Sequence, residues 1–249
     1  MEQKPTTLIT GAGKRIGALI ARHLAARGHD LVLHYHRSGE AAQALAVELR
    51  AMREAPQVTL VQANLEDTAA LGALWAGLPP CTAIIHNASH YVRDRLADMT
   101  PASLRAHLAV NFEAPLLLTQ GFMAQLPTGA AGHVVVLGDG YHGWTISPEF
   151  FSYAVSKHAW ASVIDLLAAA VAPRARANVI ALAPTLQNGD EAALFARLAE
   201  RAPLQRVSAP DEVLATLDYL LASPGVTGQV LSLAGGVNLA TVRPPVSGV

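Results

Sequence analysis

Tyr153 and Lys157 stand four residues apart in Tyr153-Ala154-Val155-Ser156-Lys157, a spacing that puts a phenol and an ammonium on one face of a helix. An ammonium near a phenol stabilises the phenolate, so the pair predicts a tyrosine of lowered pKa that donates a proton at neutral pH. Near the N-terminus, Thr10-Gly11-Ala12-Gly13-Lys14-Arg15-Ile16-Gly17 joins one apolar run to the next. Glycines suit such a junction because a pyrophosphate must come close to main-chain N–H groups at a helix N-terminus. The spacing is not GxGxxG, since the third glycine falls at Gly17. About 20 residues beyond such a turn, NAD-binding chains place an acid on the ribose. Here His34-Tyr35-His36-Arg37-Ser38 occupies that place. A guanidinium fork and a hydroxyl there would meet an extra 2′-phosphate, which predicts NADPH as cofactor in place of NADH.

The elements that must position these groups are visible as alternating runs. Short segments rich in Val, Ile and Leu at 7–10, 31–35, 58–62, 83–86, 133–137, 178–182 and 230–233 read as buried strands. Ala- and Leu-rich segments at 16–27, 40–54, 68–76, 101–125, 153–172 and 210–222 read as helices. Strands alternating with helices need crossover connections, so the expected fold is a single doubly wound, Rossmann-type α/β domain with a parallel sheet of about seven strands. No linker, repeat or low-complexity tract divides the 249 residues. The segment 184–203 lacks a strand pattern; a loop with a helix at 191–201 is expected, covering the site.

Composition narrows the function classes. Hydrophobic residues form 51% of the chain and charged residues 15%, which favours a large buried core over disorder. A net charge of −1 leaves no cation excess for nucleic acid or an acidic membrane, so neither is expected as a partner. Cys81 is the only cysteine and cannot form an internal disulfide or a thiolate metal site. His34 and His36 share a strand face, but no third ligand is apparent and no metal is expected. The N-terminus shows no targeting pattern and no uninterrupted apolar run reaches the roughly 18 residues of a spanning helix, so a cytoplasmic protein is expected.

Jointly, these features resemble the short-chain dehydrogenase/reductase family from Thr10 to about Asn238. Beyond the glycine turn and YxxxK, the resemblance includes Asn87-Ala88-Ser89 after the fourth strand, Asn111 in the following helix and Thr227-Gly228-Gln229 before the last strand. It implies that Asn111 anchors a water linked to Lys157, completing a proton relay to Tyr153, and that Lys157 also holds the nicotinamide ribose. It further implies a cofactor site formed by Gly11, Gly13, Arg15, Ile16, Gly17, His36, Arg37, Ser38, Asn64, Leu65, Asn87, Ala88, Ser89, Lys157 and Pro184. Paired helices between subunits are common in the family, so a homo-oligomer, tetramer or dimer, is expected.

Within that family the details look most like pteridine reductases, including bacterial dihydromonapterin reductases. Arg15 stands where most of the wider family has a glycine, residues 34–38 are close to the NADPH-selecting segment of that group, and Asp139 stands where the wider family has a catalytic serine. Reducing a pterin C=N bond needs hydride at carbon and a proton at ring nitrogen, which a carboxyl beside the tyrosine can relay. The resemblance implies that Asp139 pairs with Tyr153, that Arg15 reaches cofactor phosphate and substrate, that Ser89 contacts the pterin, and that Tyr91 stacks the ring against nicotinamide. Dihydromonapterin, dihydrobiopterin and dihydrofolate are the candidate substrates. The chain departs from the pattern at several points: Asp139 lies fourteen residues before Tyr153, one more than usual, His86 replaces an asparagine, Asn64 an aspartate, and Ala234 the aspartate before Gly235-Gly236. The competing readings are a ketone or acyl-thioester reductase and a non-catalytic nucleotide-binding protein.

Overall fold

The computed structural model describes residues 4–140, 149–186, 192–237 and 239. Seven strands form one sheet: β1 (Thr6–Ile9), β2 (Asp30–Tyr35), β3 (Val58–Gln62), β4 (Ala83–His86), β5 (Gly132–Asp139), β6 (Ala175–Leu182) and β7 (Val230–Leu233). Between and after them run α1 (Arg15–Ala26), α2 (Gly39–Arg50), α3 (Thr68–Gly77), α4 (Pro101–Leu108), α5 (Ala114–Gln125), α6 (Phe151–Val171), α7 (Ala192–Arg201) and α8 (Pro210–Ala222). The strand order is β3-β2-β1-β4-β5-β6-β7 and every pairing is parallel. The order reverses between β1 and β4, and a sheet of this kind opens a crevice beyond the strand ends at that point.

Both faces of the sheet are covered, which is why its strands read as unbroken apolar runs and not as alternating ones. Leu8, Ile84, Val134 and Val136 face Phe122 of α5 and Trp160 and Ile164 of α6. Ile9, Leu33, Ile85, Val135 and Ile180 face Ile20 and Leu24 of α1, Leu45 and Leu49 of α2, and Leu217 of α8. By length and composition α6 could cross a membrane, yet Trp160, Ile164, Ala168 and Val171 bury it against this core. Cys81 is buried and its thiol is pushed up to about 12, far from a reactive thiolate.

Three differences from the expected elements bear on the site. The helix expected at 101–125 is interrupted by a π-helical turn, Ala109–Glu113, between α4 and α5. Pro115 stands four residues after Asn111 and has no N–H for its carbonyl; the Trp160 indole donates to that carbonyl instead, at 2.8 Å. The fifth strand runs to Asp139, so this residue ends a strand and does not sit in a loop. The helix expected from Tyr153 begins two residues earlier, at Phe151. Its first N–H groups find acceptors on Asp94: Phe151 N–H donates to the Asp94 carbonyl and Ser152 N–H to its Oδ1, both at 2.9 Å.

Candidate active site

A cleft of about 1030 Å³ lies at the ends of β1, β2, β4, β5 and β6. At one end β1 passes into the glycine turn. Gly11 takes φ +63°, which glycine reaches without strain, and its N–H donates to His34 Nδ1 at 3.1 Å. His34 Nε2 meets the Ala63 carbonyl at 3.2 Å. Those contacts fix His34 as a neutral strut with its proton on Nε2, and burial pulls its pKa down to about 4. Asn87 Nδ2 donates to the carbonyls of Thr10 and Gly11, each at 2.9 Å, which locks β4 to the turn. Gly17 permits this: a Cβ there would lie 2.5 Å from the Gly11 carbonyl oxygen and 2.6 Å from Asn87 Nδ2.

The N-terminus of α1 has no side-chain cap and no acid in its first turn. Its donors therefore suit an anion, and Lys14, Arg15, His36, Arg37 and Ser38 line the same end of the cleft. A dinucleotide diphosphate fits this donor set. Arg15 has φ +53°, a left-handed conformation that glycine tolerates better. This accounts physically for the glycine that stands there in most of the family. The Arg15 guanidinium Nη2 donates to the Leu186 carbonyl at 3.0 Å, joining the phosphate turn to the segment after β6.

Ile16, Asn64, Leu65, Asn87, Ala88, Ser89 and Pro184 also line the cleft. Gly13, Gly17 and Asn111 do not line it; they stand behind it. A Cβ at Gly13 would lie 2.8 Å from Ser38 Oγ, so this glycine lets α2 approach the turn. Asn111 Nδ2 donates to the His90 carbonyl and to Ser156 Oγ, each at 2.9 Å, and its Oδ1 accepts the His90 N–H at 2.7 Å. Ser89 Oγ donates to the same oxygen at 3.3 Å. Asn111 thus braces the loop after β4 against α6.

Asp139, Tyr153, Lys157, Ser89 and Tyr91 come together at the other end. The Tyr153 hydroxyl is hydrogen-bonded to the Asp139 carboxylate. Burial, reinforced by the Asp139 charge, raises the phenol pKa well above its ordinary 10. This corrects the expectation of a lowered value. The Lys157 ammonium stands 6.0 Å from the centre of the Tyr153 ring and donates to the Leu137 carbonyl at 2.9 Å, while the carboxylate contacts the phenol directly. Burial pulls Lys157 down to about 8 against the opposing pull of Asp139. The site therefore holds a neutral phenol, a carboxylate and an ammonium close to its point of titration.

Several residues of this end carried no signal in the sequence. Phe150 stacks on Tyr91, and Phe195 and Leu198 of α7 line the cleft opposite, together with Leu186. The expected helix in the segment 184–203 exists as α7, while residues 187–191 lie outside the described part. His86 is fully buried against Thr119, with Nε2 2.9 Å from its Oγ1. Burial and the Lys157 charge pull the imidazole down to about 3.

Comparison with known proteins follows the same outline. A family model described as short chain dehydrogenase matches residues 5–193. The chain is 28% identical to a dihydromonapterin reductase of Klebsiella pneumoniae, covering 94% of this chain and 98% of that one. It is 30% identical to a granaticin polyketide synthase putative ketoacyl reductase of Streptomyces violaceoruber, covering 95% and 97%. Its structure is similar to that of FolM alternative dihydrofolate reductase 1 from Brucella suis in complex with NADP, with a TM-score of 0.85, 31% identity and coverage of 98% and 99%. Cleft, topology and sequence agree that the chain belongs to the short-chain dehydrogenase family of oxidoreductases.

Proposed function

We propose that the protein is an NADPH-dependent pterin reductase that converts a dihydropterin to the tetrahydropterin. Asp139, at the end of β5 and hydrogen-bonded to Tyr153, carries this reading. NADPH, when bound, supplies the hydride that adds to the carbon of the C=N bond. The chain's task is then to bring one proton to the ring nitrogen. Tyr153 holds that proton because its phenol is kept neutral; it passes to the Asp139 carboxylate and from there to nitrogen. Lys157 faces the phenolate left behind and stabilises it until solvent returns the proton.

Binding follows from the same residues. Gly11, Arg15 and the α1 N-terminus hold the diphosphate, Arg37 and Ser38 the 2′-phosphate, and Lys157 the nicotinamide ribose. Ser89 and Tyr91 meet the pterin, and the 184–203 segment covers it through Leu186, Phe195 and Leu198. Relatives named as a dihydromonapterin reductase and an alternative dihydrofolate reductase support the substrate class. The ketoacyl-reductase relative supports the second reading, reduction of a ketone or acyl-thioester. NADPH oxidation with dihydromonapterin, dihydrobiopterin and dihydrofolate, beside a ketone panel, separates them. Turnover of at least one pterin is expected, and activity on ketones alone selects the second reading.

A cytoplasmic homo-oligomer fits the same proposal. Leu117 of α5 and Val155 and Leu166 of α6 are exposed, which suits helix pairing between subunits. Light scattering is expected to give a dimer or tetramer, and a monomer at micromolar concentration would remove it.

A further inference from the structure

Phe150, the residue before α6, lays its ring on Tyr91 with centroids 4.5 Å apart and planes 7° from parallel. Tyr91 meets Tyr153 edge-on, at 4.7 Å and 81°. Tyr91 is 59% exposed. Phe150 packs on one face of its ring and Tyr153 meets an edge, so these two contacts hold the ring upright beside the proton donor.

The pair rests on a clamp. Asp94 is buried, and its carbonyl and Oδ1 take the N–H groups of Phe151 and Ser152. Its Oδ2 accepts from Ser103 Oγ of α4 at 2.6 Å, and a short parallel bridge pairs it with Phe150. Outside it, Arg93 and Arg95 both pair with Glu149. A carboxylate supplied from another element to the start of α6 is also favoured by the helix dipole. One residue therefore fixes the Tyr91 loop to the first turn of the helix that carries Tyr153.

We propose that Phe150 and Asp94 are positioning residues for substrate selection. Asp94 ties the Tyr91 loop to α6, and Phe150 backs the Tyr91 ring, giving a preformed aromatic wall that favours flat conjugated substrates over compact aliphatic ones. The proposal rests on the reading of this cleft as a reductase site and sharpens its substrate class.

The test compares Phe150→Leu, Phe150→Tyr and Asp94→Ala in the full chain. An aryl ketone and an aliphatic ketone of similar size are read separately from the dihydropterins, and NADPH binding is followed by fluorescence. An aromatic stack of this kind is worth enough for Phe150→Leu to lower the aryl-to-aliphatic ratio of kcat/KM about fivefold, carried by KM. Phe150→Tyr restores the ratio, and Asp94→Ala lowers it as Phe150→Leu does. Equal losses on both ketones, or a ratio that stays at the wild-type value, would overturn the proposal. A wild-type enzyme inert toward every pterin would defeat the pterin reading, while the ketone ratio would still report on the wall.

Discussion

The Asp139 carboxylate is hydrogen-bonded to the Tyr153 hydroxyl, which ties the last residue of β5 to the first turn of α6. The contact makes Tyr153 a proton donor by keeping its phenol neutral, and leaves Lys157 as the group that titrates near the working pH.

Activity and stability should consequently diverge on the alkaline side. Lys157 carries its charge below about pH 8 and loses it above, so the reduction rate falls as pH rises through 8. Its folded-state value lies below the ordinary 10.5, so between 8 and 10.5 the unfolded chain binds the extra proton and this group's contribution to stability rises with pH. A pH–rate profile beside denaturation midpoints from pH 7 to 10 checks both signs. A rate limb that stays in place in Lys157→Arg would show that another group titrates.

Arg15 holds a left-handed backbone angle. Arg15→Gly relieves that conformation at some entropic cost in the unfolded chain, for a net gain of about 0.5–1 kcal/mol in stability. Removing the guanidinium from the phosphate end weakens NADPH binding about tenfold. Denaturant melts and fluorescence titration should show opposite changes in stability and affinity.

Gly121 lies on α5 directly beneath Trp75, where an added Cβ would overlap Cδ1 and Nε1 of the indole. Gly121→Ala should cost about 1–3 kcal/mol despite the better helix propensity of alanine. A thermal melt decides, and an unchanged or raised Tm would show that Trp75 moves aside freely.

His34 and His86 are buried and neutral, held down to about 4 and about 3 from an ordinary 6.5. Below pH 6.5 the unfolded chain takes up protons that the folded one refuses, so stability falls as pH drops from 6.5 toward 4. Each histidine contributes a slope of up to about 1.4 kcal/mol per pH unit in that window. Urea midpoints at pH 7, 6 and 5 should fall steadily; a flat series down to pH 5 would contradict the assignment.

The fold was legible because the inner strands β1, β2, β4, β5 and β6 are largely buried on both faces and all seven strands alternate with helices, so apolar runs mark them. Tyr153, Lys157, the glycine turn and Arg37 were legible because their spacing is local. The grip of Asp94 on α6 was not, since its partner Ser152 lies 58 residues away. Nor was the role of His34, whose two nitrogens are satisfied by Gly11, in the turn after β1, and Ala63, just after β3. The raised Tyr153 pKa did not show in the sequence for a related reason: burial and the Asp139 contact are properties of the assembled site, and the spacing of YxxxK carries only the lysine. The break at Asn111 did have a local signal, in the proline four residues on.

The most direct test of the account is NADPH-dependent reduction of dihydromonapterin by the wild type and by Asp139→Ala, with an active ketone as internal control. The account predicts that removing the relay lowers kcat for the pterin at least about a hundredfold, while the ketone, protonated by Tyr153 itself, loses far less. Equal losses on both substrates, or a pterin rate that survives the substitution, would contradict a proton path through Asp139.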